Sequence, residues 1–149
     1  MISKILVPSD GSKTAQIAAL FAVDIAKQLK ASIIVLSVID QRSLIAQTAP
    51  ASKTPRHTIE PMEDYLQEAA GEYAGEIKKL CDKSGVAATI LIKMGHPVEV
   101  IVKEAKRSKS NLIVMGSHGR SALSATVLGS VSYGVIHNDK SIPVLIVRG

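Results

Sequence analysis

The chain has 149 residues, 46% apolar, 21% charged and only 3% aromatic. That length suits one domain, residues 1–149, around one core, and the composition excludes disordered and fibrous classes. A formal charge of +5 leans toward anionic partners, but with one Phe and no Trp the stacking platforms of single-strand nucleic-acid binders are missing, which argues against nucleic acid.

In chain order, "ISKILVP" is a short apolar run stopped by Pro8 and reads as a strand. The segment "SKTAQIAALFAVDIAKQLK" carries Ile17, Phe21, Ile25 and Leu29 at four-residue spacing, with Ala18 and Ala22 beside them. This spacing predicts an amphipathic helix with that stripe facing the core. "SIIVLSVI", residues 32–39, is β-branched and almost wholly apolar, as strands covered on both faces are. Residues 41–61 form the longest irregular segment, with three prolines. A connection of that length in a compact domain is usually functional.

A second helix is expected from about Met62 to Ser84, with Tyr65, Ala69, Tyr73, Ile77 and Leu80 as its core stripe and Gly85 at its end. "AATILIK" is a third strand, and "GHPVEVIVKEAKRS" opens a third helix with Pro97 near its start. There Val98, Ile101, Val102 and Ala105 share one face, leaving Lys103, Lys106, Arg107 and Lys109 to solvent. "SNLIVMG" is a fourth strand, "SVSYGVIHN" a fourth helix and "IPVLIV" a fifth strand. Strict alternation of strand and helix implies an α/β fold, a doubly wound parallel sheet with helices on both faces. Ligands of such sheets lie beyond the carboxyl ends of the strands, where the strand order reverses.

Cys81 is alone, so neither a disulfide framework nor a cysteine-based zinc site exists within the chain. It is expected as a small packed residue at a helix end. The N-terminal apolar run is too short for a signal peptide, and no stretch approaches the roughly 20 apolar residues of a membrane helix. The expected location is the cytoplasm, with no membrane partner.

The chemistry concentrates after the fourth strand, in "VMGSHGRSALSATVLGSVS". Gly116 and Gly119 bare the backbone, and Ser130 stands where a helix begins. Helix N-termini offer four unpaired N–H groups and a positive dipole end, a setting that suits phosphate oxygens. Ser130 and Ser132 would add hydroxyl donors. Two readings stand on the residues alone: backbone wrapped around a polyphosphate, or an ordinary turn with Ser130 as cap. GxxxxGK[ST], GxGxxG and the GxSxG elbow are all absent.

The spacing Gly116, two residues, Gly119, nine residues, Gly129-Ser130 resembles the nucleotide signature of the universal stress protein family, in its ATP-binding branch. "ILVPSDGS", "SVID", "MGHP" and "PVLIV" support the likeness, which spans essentially the whole chain. The resemblance implies a five-stranded sheet in the order 3-2-1-4-5 and an ATP site between strands 1 and 4. It implies Asp10 against adenine, with Pro8 and Ser9 lining that side and the Val38 backbone reading the adenine edge. Met115, Gly116, Ser117, His118, Gly119 and Arg120 would lie along ribose and phosphates, and Gly129, Ser130, Val131 and Ser132 would hold the phosphates. Mg²⁺ or Mn²⁺ would accompany the triphosphate.

Each residue also has a plainer reading: Asp10 as an Asx-turn or cap, His118 as a loop residue, Arg120 as a solvated charge. The expected function is a nucleotide-dependent regulator of stress response. The alternative is a slow ATPase on the same site, although no carboxylate stands beside the phosphate-binding glycines. Substituting Gly119 with a bulky residue should push a side chain into the phosphate position. Lys53, Arg56 and His57 would form a basic lid on the loop after strand 2. The last strand, Val144 to Val147, would be an edge, and pairing it with a second copy gives a homodimer, which the resemblance also implies.

Overall fold

The computed structural model describes residues 1–40, 56–119 and 128–149. The strands are β1 (Lys4–Pro8), β2 (Ser32–Ile39), β3 (Ala88–Met94), β4 (Leu112–Gly116) and β5 (Val144–Val147). They alternate with helices α1 (Lys13–Leu29), α2 (Arg56–Lys83), α3 (Pro97–Arg107) and α4 (Ser130–Asn138). All strand pairs are parallel, in the order β3-β2-β1-β4-β5. The order reverses between β1 and β4, where right-handed crossovers change sides of the sheet.

The period of two along each strand divides the core into two layers. Ile5, Val7, Ile33, Val35 and Val114 face the layer under α1 and α2, together with Ala18, Ala22, Ala74 and Ile77. Leu6, Ile34, Leu36, Ile113 and Met115 face the other layer, with Val98, Ile101 and Val135 from α3 and α4. Both faces are therefore dry, which explains why these strands read as unbroken apolar runs.

Helix α1 starts where its side chains dictate. Ser12 is the N-cap and accepts from Ala15 N–H at 3.2 Å. At the other end Lys30 takes a left-handed φ of 56°, and Ala31 N–H returns to the Ala26 carbonyl at 2.9 Å. The buried face, however, is not the expected stripe. Ala15, Ala18, Ala19, Ala22, Val23 and Ala26 meet the sheet, while Ile17 and Ile25 pack only partly and Phe21 and Leu29 are exposed. Small side chains let the helix axis approach β1 and β4 closely, and this forces the larger ones to the flanks.

Helix α2 begins at Arg56, not near Met62, and runs through Pro61. A proline there forgoes its N–H bond and crowds the carbonyl four residues back, yet the helix continues on both sides of it. Its core stripe is also rotated from the expected one. Ala70, Ala74, Ile77 and Cys81 are buried, whereas Tyr65 is 66% exposed and Ala69, Tyr73 and Leu80 are only partly covered. Gly85, at φ +73°, donates to the Asp82 carbonyl, and Val86 N–H reaches the Cys81 carbonyl at 2.8 Å, closing the helix as predicted. Of the proposed basic lid, Lys53 lies outside the described residues, while Arg56 and His57 fall in the first turn of α2.

Helix α3 buries Val98, Ile101 and Ala105 as expected, together with Glu104, and leaves Lys103, Lys106, Arg107 and Lys109 exposed. Where α3 crosses α4, a Cβ on Gly134 would stand 2.6 Å from a Val98 methyl. The chain can pass there only without a side chain. Among the described residues, no helix is long and apolar enough to cross a membrane.

Candidate functional site

The carboxyl ends of the strands are tied together by backbone bonds that prolong the ladders. Ser9 N–H donates to the Leu36 carbonyl, Gly95 N–H to Ile39 and Ser117 N–H to Val147, each at 2.9 Å. The loops after β1, β3 and β4 are thus held at one level, and a cleft of about 790 Å³ opens among them. That size falls within the roughly 300–1,000 Å³ of small-molecule sites.

The cleft is lined by Pro8, Ser9 and Asp10 after β1, Val38 on β2, and Met115, Gly116, His118 and Gly119 after β4. Gly129, Ser130, Val131 and Ser132 complete it at the start of α4. Ser117 is buried and does not line it. Arg120 lies outside the described residues.

Three of these residues do something other than expected. Ser132 is buried, and its hydroxyl already donates to the Gly116 carbonyl at 2.7 Å. That bond pins the first turn of α4 to the end of β4, so Ser132 offers a ligand its backbone N–H, not its hydroxyl. His118 is held through both ring nitrogens: the Thr14 hydroxyl is 3.1 Å from Nε2 and the Ser117 hydroxyl 3.2 Å from Nδ1. These contacts fix the ring between the β4 loop and α1, at the border of the cleft.

Gly119 is the third. A Cβ there would run into the Asp10 carboxylate, which itself borders the cleft. The other two signature glycines behave alike. A Cβ on Gly116 would lie 2.7 Å from the Thr14 methyl, and one on Gly129 would lie 3.0 Å from the His118 Cα. None of the three is among the residues with positive φ. They are small because other parts of the chain crowd them, a side chain at Gly116 and Gly119 and the His118 backbone at Gly129, not because the turn needs a left-handed residue.

Asp10 takes both of its readings. Its Oδ1 accepts from Ser12 N–H at 3.0 Å, an Asx-turn leading into the α1 cap, and its side chain also borders the cleft. At α4, Gly129 is the N-cap and brings no side chain to the helix start, while its own N–H donates to the Ser117 carbonyl at 2.6 Å. The first N–H groups of α4 thus open toward the cleft with no side-chain cap on them, a ready setting for an anion. The described lining carries two carboxylates, Asp10 and Asp40, one imidazole and no Lys or Arg.

The structure adds lining residues beyond the named ligand contacts, three of them (Ile39, Asp40 and Pro97) in the segments "VID" and "MGHP" that the strand-end reading directs to this cleft. Leu36, Ile39 and Asp40 follow from the strand ends, and Pro97 and Ile101 from the start of α3. Tyr65, Leu66, Ala69 and Tyr73 of α2 form a further wall. Three of these, Tyr65, Ala69 and Tyr73, were expected in the core. The signal of the two tyrosines was present as an aromatic pair two helical turns apart, but the face it belonged to depended on how α2 is rotated.

Comparison with known proteins places this geometry. Residues 1–148 match the universal stress protein family model. Universal stress protein MJ0577 of Methanocaldococcus jannaschii is 38% identical over 157 aligned positions covering 99% of this chain and 96% of that protein. The solved structure of MJ0577 superposes with a TM-score of 0.81, covering 99% of this chain and 96% of that one. UspA from Lactobacillus plantarum gives 0.84 at 26% identity, with 99% and 98% covered. A universal stress protein in complex with cAMP gives 0.71 at 22% identity, with 98% and 97% covered, and shares the fold. With the family model spanning nearly all of it and these relatives aligned end to end, the chain belongs to the universal stress protein family.

Proposed function

We propose that this protein is an ATP-binding regulator of stress response, acting through nucleotide-dependent conformation or partner binding. The observation that carries the reading is the glycine-capped start of α4, which opens into an apolar-walled cleft at the topological switch point. In this reading Pro8, Ser9, Asp10 and the Val38 backbone take the adenine, and Met115 borders the cleft. Gly116, His118 and Gly119 border ribose and phosphates, and the N–H groups of Ser130, Val131 and Ser132 take the phosphate oxygens. A relative in complex with cAMP adds support at the level of the fold.

A triphosphate brings several negative charges to a lining that already holds two carboxylates. Mg²⁺ or Mn²⁺ would relieve that repulsion. No three His, Cys, Asp or Glu side chains converge on a cation among the described residues, so phosphate oxygens and water would supply most of its ligands. We place binding ahead of turnover, although the Asp10 carboxylate stands against Gly119, contrary to the expectation that no carboxylate would lie beside the signature glycines.

Homodimerisation through Val144–Val147 belongs to the same reading. β5 is an edge strand with Leu145 36% exposed. A Leu145→Lys variant should shift the particle mass toward 15.8 kDa.

The test of the nucleotide reading is calorimetry with ATP and magnesium on the native chain and on Ser130→Pro. Gly129 has ψ 155°, compatible with a following proline, and proline is tolerated at the first helical position. The variant keeps the helix while deleting one N–H and one hydroxyl. ATP affinity should fall roughly tenfold, the usual effect of losing a hydrogen bond to a charged group. Native protein that shows no saturation up to millimolar ATP would sink the proposal.

A further inference from the structure

The cleft straddles the top edge of the sheet and so has two lobes. Val38, Ile101, Met115 and Val131 belong to the apolar layer under α3 and α4. Tyr65, Leu66, Ala69 and Tyr73 stand on the opposite side, on α2, which packs over the other face of the sheet. The nucleotide reading uses the first lobe, the crest between the strands and the start of α4. It assigns nothing to the second.

That second lobe has a definite chemistry. Tyr65 and Tyr73 are two of only four aromatic residues in the chain. They lie two turns apart on one helix, about 12 Å along its axis, longer than one ring needs. No Lys or Arg lines the cleft among the described residues, so the lobe suits a flat, uncharged heteroaromatic group better than a second phosphate. The face is rotated off the sheet, with Ala70 and Ala74 taking the core positions instead.

We propose that the α2 lobe is a second base subsite and that the cleft accepts a phosphate-bridged dinucleotide. One base occupies the Asp10–Val38 side, the bridging phosphates meet the start of α4, and the other base stacks on Tyr65, with Tyr73 closing the lobe. This inference rests on the nucleotide reading above and extends it to the ligand's far end. Aromatic side chains stack any base, so the lobe selects for a second ring system without selecting its identity.

The chain has three tyrosines and no tryptophan, so its intrinsic emission comes from Tyr65, Tyr73 and Tyr133. Native protein is titrated with ATP and with diadenosine tetraphosphate, both with magnesium, by calorimetry and by tyrosine emission. The dinucleotide should bind about tenfold tighter than ATP, the usual effect of stacking one base on an aromatic ring, and should change the emission more. Tyr65→Ala, at an exposed position, and Tyr73→Leu should each reduce that advantage while leaving ATP affinity within twofold, which also certifies their folding. Equal affinity of native protein for the two ligands would overturn the inference and leave the nucleotide reading standing. So would a Tyr65→Ala variant that weakens both ligands alike, because the ring would then touch the first base. Binding of neither ligand would overturn both.

Discussion

Gly119→Ala offers a test of what the signature glycines do. The new methyl would meet the Asp10 carboxylate, which must rotate away and give up the bond it accepts from Ser12 N–H at 3.0 Å. A hydrogen bond to a charged group contributes about 1.5–3 kcal/mol, and Asp10 is partly exposed, so the lower end applies. Alanine returns about 0.5 kcal/mol by restricting the unfolded chain, because Gly119 is not in the left-handed region. The net loss is then about 1 kcal/mol, or roughly 2–4 °C in melting temperature for a domain of this size.

The diagnostic is a double-mutant cycle in urea. With Asp10→Ala already present, the obstacle is gone, and Gly119→Ala should become neutral or slightly stabilising, a coupling of about 1 kcal/mol or more. Equal losses in the two backgrounds would refute the account, because the clash would then lie elsewhere than with Asp10. ATP calorimetry on the same four proteins should show Gly119→Ala weakening affinity through the displaced carboxylate.

Gly134→Ala places a methyl 2.6 Å from Val98 where α3 crosses α4. Overpacking of that kind costs about 1–3 kcal/mol against roughly 1 kcal/mol gained in helix propensity, so urea melts should show a net loss that Val98→Ala relieves. Asp139 is buried, and its carboxyl is held below the usual 3.8, first by the Ser141 hydroxyl at 2.7 Å, then by Ser141 N–H and Lys106. A depressed folded-state pKa stabilises above the unfolded value and is lost as pH falls through the folded one. The stability gap between native protein and Asp139→Asn should therefore be full at pH 7 and shrink below about pH 4. Burial, followed by the neighbouring Asp82, raises the Cys81 thiol pKa, and its side chain is fully covered. A thiol reagent at pH 8 should thus label it only as fast as the chain opens, and addition of 6 M urea should remove the protection.

Several features were legible without coordinates because they depend on neighbours in the chain. β2 was read at its observed bounds, 32–39, from β-branched continuity, and α4 at 130–138 from the glycine and serine at its start. The sheet order came through resemblance to a family, carried by the spacing of Gly116, Gly119 and Gly129, and the observed topology agrees with it. Periodicity can define a helix and its length. It cannot decide which of two adjacent stripes turns inward when both are apolar.

That choice was made by packing distance. On α1 the alanines won over Ile17, Phe21 and Leu29 because close approach to β1 and β4 leaves no room for larger groups. On α2 the same contest put Ala70, Ala74 and Cys81 inside and turned Tyr65 and Tyr73 toward the cleft. What each glycine avoids is likewise a long-range fact, since Asp10, Thr14 and His118 reach those positions only once the strands are assembled. The residue pattern alone determined the alternating elements and the glycine-rich turn before α4. Only the tertiary structure decided which side chains share a surface, because that depends on how closely elements distant in sequence approach one another.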